Sequence, residues 1–215
     1  MTELVNGGKY ERKIFCSSKG KAEYNHQRRL SCLFTEHLQK SPMSEIAGEA
    51  GISKSLLFHY FHNKRELYLF LWNNCVKLTI KYLTEYKCYE QTDLFEMMYR
   101  GMKAKMRIMN LYPNMGSFVI KAFYERDPEI CSAIQESYKS YKAFKTDNIL
   151  ASIDTSQFAD GLDVKMMYRE MTLASEGYLW EVQRNGEVDV EKMEKDFTKM
   201  LEFWKTLYLR KGGEK

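Results

Sequence analysis

Residues 41–67 of this chain read SPMSEIAGEAGISKSLLFHYFHNKREL, and they predict two short helices joined by a tight turn. Ser41 is suited to cap the first helix, with Pro42 at the first helical position, where its missing N–H costs nothing. Gly51 ends this helix, because glycine readily adopts the left-handed conformation of a helix end. Ser53 then caps the second helix, so the turn between the helices is centred on a glycine.

The apolar residues of this stretch follow the spacing of packed helices. Ile46, Ala47 and Ala50 fall on one face of the first helix, where the small alanines allow close crossing. Leu57 and Phe61 lie four residues apart on the buried side of the second helix. A capped third helix follows at once, because Asn63 and Glu66 have the spacing of a capping box. This is the layout of a helix-turn-helix, although any small helical hairpin with a glycine turn shares part of it.

The same run resembles the DNA-binding end of the tetracycline-repressor-like (TetR) regulators over about residues 28–72. The shared residues are Ile46-Ala47, Ala50-Gly51-Ile52-Ser53, Leu57-Phe58-His59-Tyr60-Phe61, Asn63-Lys64 and Leu67. Phe58 keeps the aromatic ring of this pattern but lacks a hydroxyl, whereas many relatives carry here a tyrosine whose hydroxyl contacts phosphate. The resemblance implies an all-α fold, with an N-terminal three-helix helix-turn-helix DNA-binding domain followed by a larger helical ligand-binding and dimerisation domain.

The exposed faces of the predicted helix-turn-helix supply the candidate DNA contacts. These are Ser44, Ser53, Lys54, Ser55, Leu56, His59, Tyr60 and Lys64. We expect the residues of the second helix to enter the major groove and Lys64 to hold a phosphate at the start of the third helix. Residues 1–66 contain 11 Lys and Arg against 7 Asp and Glu, so the whole net charge of +4 (33 minus 29) lies there. Such a surplus favours a polyanionic partner.

Composition narrows the class of protein. The five cysteines are odd in number and form no Cys-x-x-Cys pair, which favours a reducing, cytoplasmic location. No apolar run approaches the ~20 residues of a membrane helix, so we expect no membrane association. All four histidines fall within residues 26–62 without a third metal-type ligand beside them, and no nucleophile or phosphate-binding fingerprint occurs. We therefore expect no catalytic residues, no metal, no cofactor and no enzymatic activity.

Helical periodicity and turn residues divide the chain into three parts. Residues 1–20 are expected to form a mobile arm, residues 21–66 the DNA-binding domain and residues 67–215 an effector-binding and dimerisation domain. Residues 154–163, rich in Ser, Thr, Asp and Gly, are expected to form a loop. Helices are predicted over about residues 21–38, 64–87, 94–112, 114–125, 128–149, 164–185 and 190–210.

The last two predicted helices carry broad apolar and aromatic stripes. Ordinary core packing explains about half of such side chains, yet interfaces favour Tyr, Trp, Phe and Met. In TetR-like proteins the corresponding helices pair with their twofold mates, which implies a homodimer that reads a near-palindromic operator in double-stranded DNA. The predicted dimer interface comprises Met167, Met171, Tyr178, Val182, Phe197, Leu201, Trp204 and Tyr208.

The middle helices are crowded with methionine and aromatic residues. A methionine stripe is core more often than pocket, but the family resemblance implies an effector cavity, and adaptable methionines suit a small hydrophobic effector. The predicted lining comprises Tyr99, Met102, Met106, Tyr112, Phe118, Phe123, Tyr138, Tyr141, Phe144 and Trp180.

These patterns together predict a ligand-responsive, sequence-specific transcriptional regulator that acts as a repressor. Two other classes stay open at this point. One is a constitutive DNA-binding protein without an effector, and the other is a helical enzyme that processes a small molecule.

Overall fold

The computed structural model describes residues 33–34, 41–185 and 189–210, with the backbone alone for residues 142–149. The predicted arm of residues 1–20 lies outside the described residues. So does most of the first predicted helix, of which Leu33 and Phe34 are described and buried.

The described part of the chain is built from α-helices, which confirms the predicted fold class. The helices are α1 (Met43–Glu49), α2 (Lys54–Tyr60), α3 (Lys64–Glu85), α4 (Leu94–Leu111), α5 (Pro113–Phe123), α6 (Pro128–Ser152), α7 (Val164–Asn185) and α8 (Val190–Tyr208). Short 3₁₀ turns lie at Cys88–Glu90 and Thr155–Gln157. None of the described helices combines the length and the apolar character that crossing a bilayer requires.

Helix α1 begins one residue later than the sequence predicts. Pro42 is its N-cap, with an extended backbone (φ −60°, ψ 151°), and the Pro42 carbonyl accepts the first helical hydrogen bonds from Glu45 and Ile46. The prediction that Ser41 caps this helix is therefore wrong, and Ser41 is instead buried just before it. The reason is local: the ψ of Pro42 is not helical, so the helix starts at Met43.

Gly51 terminates helix α1, as predicted, and lies directly after the C-cap residue Ala50. Gly51 has φ +64°, and the N–H groups of Gly51 and Ile52 donate to the carbonyls of Gly48 and Ala47 at 3.0 Å each. This pair of bonds is a Schellman motif, which satisfies helix-end carbonyls while reversing the chain. The left-handed residue therefore sets the direction in which α2 departs.

The N-terminal caps of the two long helices α3 and α6 use the capping residues that the sequence predicts. The Asn63 side-chain oxygen accepts from the Glu66 N–H at 2.9 Å, which confirms the predicted cap of α3. The Glu66 carboxylate, however, accepts from the backbone N–H of His62, one residue before the position a capping box uses. At α6, Asp127 accepts from the backbone N–H groups of the first turn, as its place before Pro128 predicts.

Contacts between Cα atoms divide the chain into two compact units. Unit 1 comprises the described parts of residues 1–77 and 111–138, and unit 2 those of residues 78–110 and 139–215. The first turns of α3 pack with α5 inside unit 1, and the predicted domain boundary after residue 66 stays a prediction.

Aromatic rings form the core of unit 1. Tyr68 and Phe34 both contact the ring of Phe118, with centroids 4.9 and 5.3 Å apart. Trp72 meets Phe123 edge-on at 5.5 Å. Such pairs stabilise by roughly 0.5–1.5 kcal/mol beyond the area they bury. The start of α3 is thus packed against α5 by rings that are far apart in sequence.

In unit 2, α7 and α8 lie antiparallel. The Tyr178 hydroxyl donates to Asp196 at 3.4 Å, and the Tyr208 hydroxyl donates to Glu170 at 3.1 Å. Glu194 of α8 accepts bonds from α4, whose Tyr99 and Lys103 donate at 2.6 and 2.9 Å. Five buried methionines of α4 face the apolar interior of this unit: Met97, Met98, Met102, Met106 and Met109.

The predicted loop of residues 154–163 is joined to the end of α8. It contains the 3₁₀ turn Thr155–Gln157, which the sequence did not predict. The Ala159 N–H donates to the Tyr208 carbonyl at 2.9 Å, and the Arg210 N–H donates to the Gln157 carbonyl at 3.0 Å. These bonds satisfy backbone groups that a free loop would leave to water.

Substitutions at two glycines of the helix-turn-helix test whether the left-handed backbone at Gly51 requires glycine. Gly51→Ala should lower the free energy of unfolding by about 1–2 kcal/mol, because a side chain disfavours the left-handed backbone. Gly48→Ala is the matched control. It should raise stability by about 0.5–1 kcal/mol, because Gly48 is helical and alanine is the better helix former. In the described part of the chain, no atom lies within 4 Å of a Cβ at either position.

Urea unfolding of both variants measures the difference. Equal stability of the two variants would contradict the role given to the backbone of Gly51.

Candidate functional site

Helix α2 is held by two buried residues, and its other faces are open. Leu57 is fully buried and Phe61, just after the helix, is 4% exposed. Ser55 and His59 project from the side opposite Leu57, because successive residues are 100° apart around a helix. Both are exposed. The short helix α2 therefore presents a polar face to solvent, while the buried side chains of Leu57 and Phe61 fix its orientation.

Ser53 is the N-cap residue of α2. Its hydroxyl oxygen accepts from the Leu56 N–H at 3.1 Å, which is an N-cap bond. The Ser55 hydroxyl lies 3.1 Å from the Ser53 hydroxyl. Ser53 therefore stabilises the helix, whether or not it also contacts a ligand.

The sequence did not single out Phe58 as a site residue, but the structure places it on α2 beside the polar face. Phe58 is 40% exposed, and the Lys54 ammonium lies 5.7 Å from the centroid of its ring. On the other flank, the rings of His59 and Tyr60 meet edge-on at 5.0 Å. The sequence offers one sign of this exposure: Phe58 follows the buried Leu57 and lies one helical turn after Lys54.

The start of α3 carries two neighbouring cations with different surroundings. Arg65 donates to Asp127 at 3.2 Å and also pairs with Glu129, at the start of α6. The hydrogen bond to Asp127 raises the pKa of Arg65, so its charge is committed to these carboxylates. Partial burial lowers the pKa of Lys64, whose side chain is half-buried. Sequence reasoning missed the Arg65 pairs, because their partners lie more than 60 positions away.

All the predicted DNA contacts lie in unit 1, on or beside α1, α2 and the start of α3. Leu56, Tyr60 and Lys64 are half-buried. The exposed members are Ser44, Ser53, Lys54, Ser55 and His59. The set therefore lies within one small module of the chain, and its role in contacting DNA stays a prediction.

The predicted pocket residues are divided between the two units. Unit 1 holds Tyr112, Phe118, Phe123 and Tyr138, of which Phe123 and Tyr138 meet edge-on at 4.8 Å. Unit 2 holds Tyr99, Met102, Met106, Tyr141, Phe144 and Trp180, and the side chain of Phe144 is outside the described residues.

A cavity of about 30 Å³ lies within unit 2, and Met102 is the one predicted pocket residue among its described lining. The other lining residues are Leu83, Cys88, Tyr89, Met97, Met98, Gly101, Lys105, Thr172, Ser175 and Phe197. Sequence reasoning missed Tyr89 and Thr172, because no local pattern connects residues 83 positions apart.

The predicted dimer-interface residues mostly face the interior of the chain itself. Tyr178, Val182 and Tyr208 are half-buried. The remaining five, Met167, Met171, Phe197, Leu201 and Trp204, are at most 4% exposed. These five side chains contribute to the core of unit 2 and have no surface left for a partner. The same two helices carry exposed apolar residues on their other side, namely Met166, Leu173, Phe203 and Leu207, each more than half exposed.

Within the described ranges, no group of three His, Cys, Asp or Glu side chains is placed to hold a metal ion. The one described ion pair of a histidine, between His62 and Glu66 at 3.0 Å, belongs to the start of α3. Hydrogen bonds with His62 lower the pKa of Glu66, so this carboxylate stays ionised at the helix N-terminus.

Residues 38–70 match the family model of the bacterial regulatory proteins of the tetR family. This segment contains α1, α2, the start of α3 and all the predicted DNA contacts. A search of curated proteins found no match to the sequence.

Solved structures share the fold over nearly the whole chain. The fatty acid degradation regulator FadR of Bacillus halodurans is 17% identical, with a TM-score of 0.62, covering 90% of this chain and 100% of its own. SmeT, the repressor of the Stenotrophomonas maltophilia multidrug efflux pump SmeDEF, is 12% identical, with a TM-score of 0.62 and coverage of 93% and 94%. Its complex with triclosan is also similar, at 12% identity, a TM-score of 0.60 and coverage of 86% and 93%. At these identities the likeness concerns the fold.

The cap of α2 is tested by comparing Ser53, which caps the helix, with Ser55, which does not. Ser53→Ala should lower the free energy of unfolding by about 1 kcal/mol, because the Leu56 N–H loses its partner. Ser55→Ala should change stability by less than about 0.5 kcal/mol, as surface substitutions usually do. Thermal and urea unfolding measure both variants. A loss for Ser55→Ala as large as that for Ser53→Ala would show that the cap bond does not stabilise α2.

Proposed function

Since this chain belongs to the TetR family of bacterial regulatory proteins, a class of DNA-binding regulators, we propose that it is a sequence-specific repressor. It acts as a homodimer on a near-palindromic operator and is released by a small hydrophobic effector. It has no enzymatic step in this role.

The presentation of α2 is the observation that carries the proposal. The helix has seven residues and is therefore about 10 Å long, which suits a major groove about 12 Å wide. Leu57 and Phe61 anchor it from behind, and Ser55 and His59 face outward. Side chains on that face have the hydrogen-bonding groups that read base edges.

Lys54 at the start of α2 and Lys64 at the start of α3 supply positive charge in the same module. Lys64 is proposed to bind a phosphate, which positions the helix without reading sequence, and Lys54 enters the major groove with the other residues of α2. Arg65 is not assigned to DNA, because Asp127 and Glu129 already engage its guanidinium. The N-terminus of α3 adds backbone N–H groups, which favour an anion.

The homodimer is proposed through the exposed side of α7 and α8. The two hydrogen bonds between the helices set an antiparallel register in which Leu173 lies near the level of Phe203, and Met166 near that of Leu207. Exposed apolar residues on adjacent helices form a continuous face that a second copy is able to cover. Twofold pairing presents two recognition helices to a near-palindrome.

The effector acts by shifting an equilibrium between two spacings of the recognition helices. It lowers DNA affinity only if it binds more tightly to the spacing that does not fit the operator. Helix α3 contributes residues to both units as one continuous helix, so it connects the two along the chain.

A constitutive DNA-binding protein is the second candidate, and one observation favours it. The cavity of about 30 Å³ is far smaller than the roughly 300–1,000 Å³ of typical ligand sites. In that case no small molecule lowers operator affinity. Measuring operator binding in the presence of a library of hydrophobic compounds distinguishes the two candidates.

Selection of bound duplexes from a random pool tests the function. We expect an enriched near-palindrome with half-sites about 10 bp apart or a multiple of that spacing. Two variants analysed on the enriched duplex separate the roles of the contacts. His59→Ala should reduce discrimination at one or two base pairs by about 1–3 kcal/mol. Lys64→Ala should weaken binding to all sequences alike and reduce the slope of log affinity against log salt by about 1.

The matched control for charge is Lys195→Ala, an exposed lysine of α8 that pairs with Glu191. It removes the same charge outside the module and should leave DNA affinity unchanged. A pool without any enriched sequence would refute the proposed function. A uniform loss for His59→Ala across sequences would remove it from base recognition.

The dimer face is tested by Leu173→Arg, which places a charge in the proposed interface. We expect the variant to run as a monomer in light scattering and to lose affinity for the full operator, because burying an unpaired charge is costly. Asn185→Arg is the matched control: it adds the same charge at an exposed position a third of a turn away around α7. A dimer of unchanged stability for Leu173→Arg would exclude this face.

A further inference from the structure

Two residues that line the cavity of unit 2 carry unused hydrogen-bonding groups. It lies between the end of α3, the 3₁₀ turn Cys88–Glu90, α4, α7 and α8. The Tyr89 hydroxyl and the Thr172 hydroxyl are buried, and among the described residues neither has a hydrogen-bond partner. A buried polar group without a hydrogen-bond partner is destabilising, so two such groups on residues that line one cavity indicate an absent partner.

A third hydroxyl on the lining of this cavity has a hydrogen-bond partner. Ser175 also borders it, but its hydroxyl donates to the Met171 carbonyl at 2.6 Å. The unpaired state of Tyr89 and Thr172 is therefore a property of those two positions and not of the cavity as a whole. Burial raises the pKa of Tyr89 to about 12, so the hydroxyl keeps its proton and is available as a donor at neutral pH.

The rest of the lining is apolar with one cation. Leu83, Met97, Met98, Met102 and Phe197 provide the hydrocarbon surface. Lys105 is the one charged residue among the described lining, and its side chain is half-buried. The lining thus combines two hydroxyl donors and an ammonium group with an adaptable apolar wall.

We propose that this cavity binds an amphipathic monocarboxylate, with its carboxylate on the hydroxyls of Tyr89 and Thr172 and its hydrocarbon among the methionines. The proposal rests on the proposed ligand-responsive function and gives the effector a chemical class. A carboxylate suits the site because hydrogen bonds to an ionised acceptor are about twice as strong as neutral ones. Lys105 adds a favourable charge from the same lining.

The present volume sets a condition on this binding. A cavity of about 30 Å³ exceeds the roughly 10–15 Å³ that one water molecule requires, but it is too small for a carboxylate with a chain, so binding requires the wall to open. Methionine side chains have three rotatable bonds and repack with little cost, which makes Met97, Met98 and Met102 the residues that move. A single bound water is the competing occupant, and it would use the same two hydroxyls.

The test measures binding of octanoate to the full-length protein by calorimetry, with 1-octanol as the neutral probe of equal length. We expect octanoate to bind with one site per chain and 1-octanol to bind at least about tenfold more weakly. Tyr89→Phe and Thr172→Val should each weaken octanoate binding about tenfold, because each removes one hydrogen bond to a charged group. Ser175→Ala is the matched control and should bind octanoate like the parent protein.

Stability without ligand distinguishes the ligand from a trapped water. If the hydroxyls are unpaired until octanoate binds, Tyr89→Phe should leave the Tm of the free protein unchanged or raise it. A lowered Tm for both Tyr89→Phe and Thr172→Val would show a resident water and overturn the proposal. Equal affinities for octanoate and 1-octanol, or absence of octanoate binding, would overturn it as well.

These outcomes are separate from those of the proposed function. An operator obtained by selection together with a protein that does not bind octanoate would refute the ligand class alone. Octanoate binding that depends on Tyr89 and Thr172 but leaves operator affinity unchanged would support the site and refute its role as a release switch.

Discussion

The hydrogen bonds at the end of α1 constrain the rest of the DNA-binding module. Gly51 takes a left-handed backbone, and the N–H groups of Gly51 and Ile52 bind carbonyls of the helix that has just ended. The chain therefore reverses within two residues, and Ser53 starts α2 in a fixed direction. Leu57 then enters the core, which sends Ser55 and His59 outward. The exposed polar face follows from a backbone conformation that one residue type adopts readily.

The helix that follows is fastened by contacts over long sequence separations. Tyr68 and Trp72 pack on Phe118 and Phe123, and Arg65 pairs with carboxylates at the start of α6. The first turns of α3 are thereby part of the same compact unit as α1 and α2. The same packing engages the charge of Arg65 within the protein, through its pairs with Asp127 and Glu129.

The two C-terminal helices carry two apolar faces, one buried and one exposed. One face supplies the core of unit 2 through Met171, Phe197 and Trp204, which are buried. The opposite face leaves Leu173 and Phe203 more than half exposed. In the sequence, both faces belong to the same broad apolar stripes. Hydrophobic periodicity does not distinguish a residue that is buried within its own chain from one that is exposed on the folded chain.

Local chemistry was sufficient to predict the helices of residues 43–208, the glycine turn, the caps at Ser53 and Asn63, and the exposed polar residues of α2. Each depends on a few consecutive residues, where backbone preference and periodicity dominate. The start of α1 was misplaced by one residue, because the ψ angle of Pro42 is free in a way that its φ angle is not. Packing alone placed Arg65 on Asp127, buried the inner stripes of α7 and α8, and brought Tyr89 and Thr172 to one cavity. These pairings join distant positions, and their energies arise only after the chain has folded.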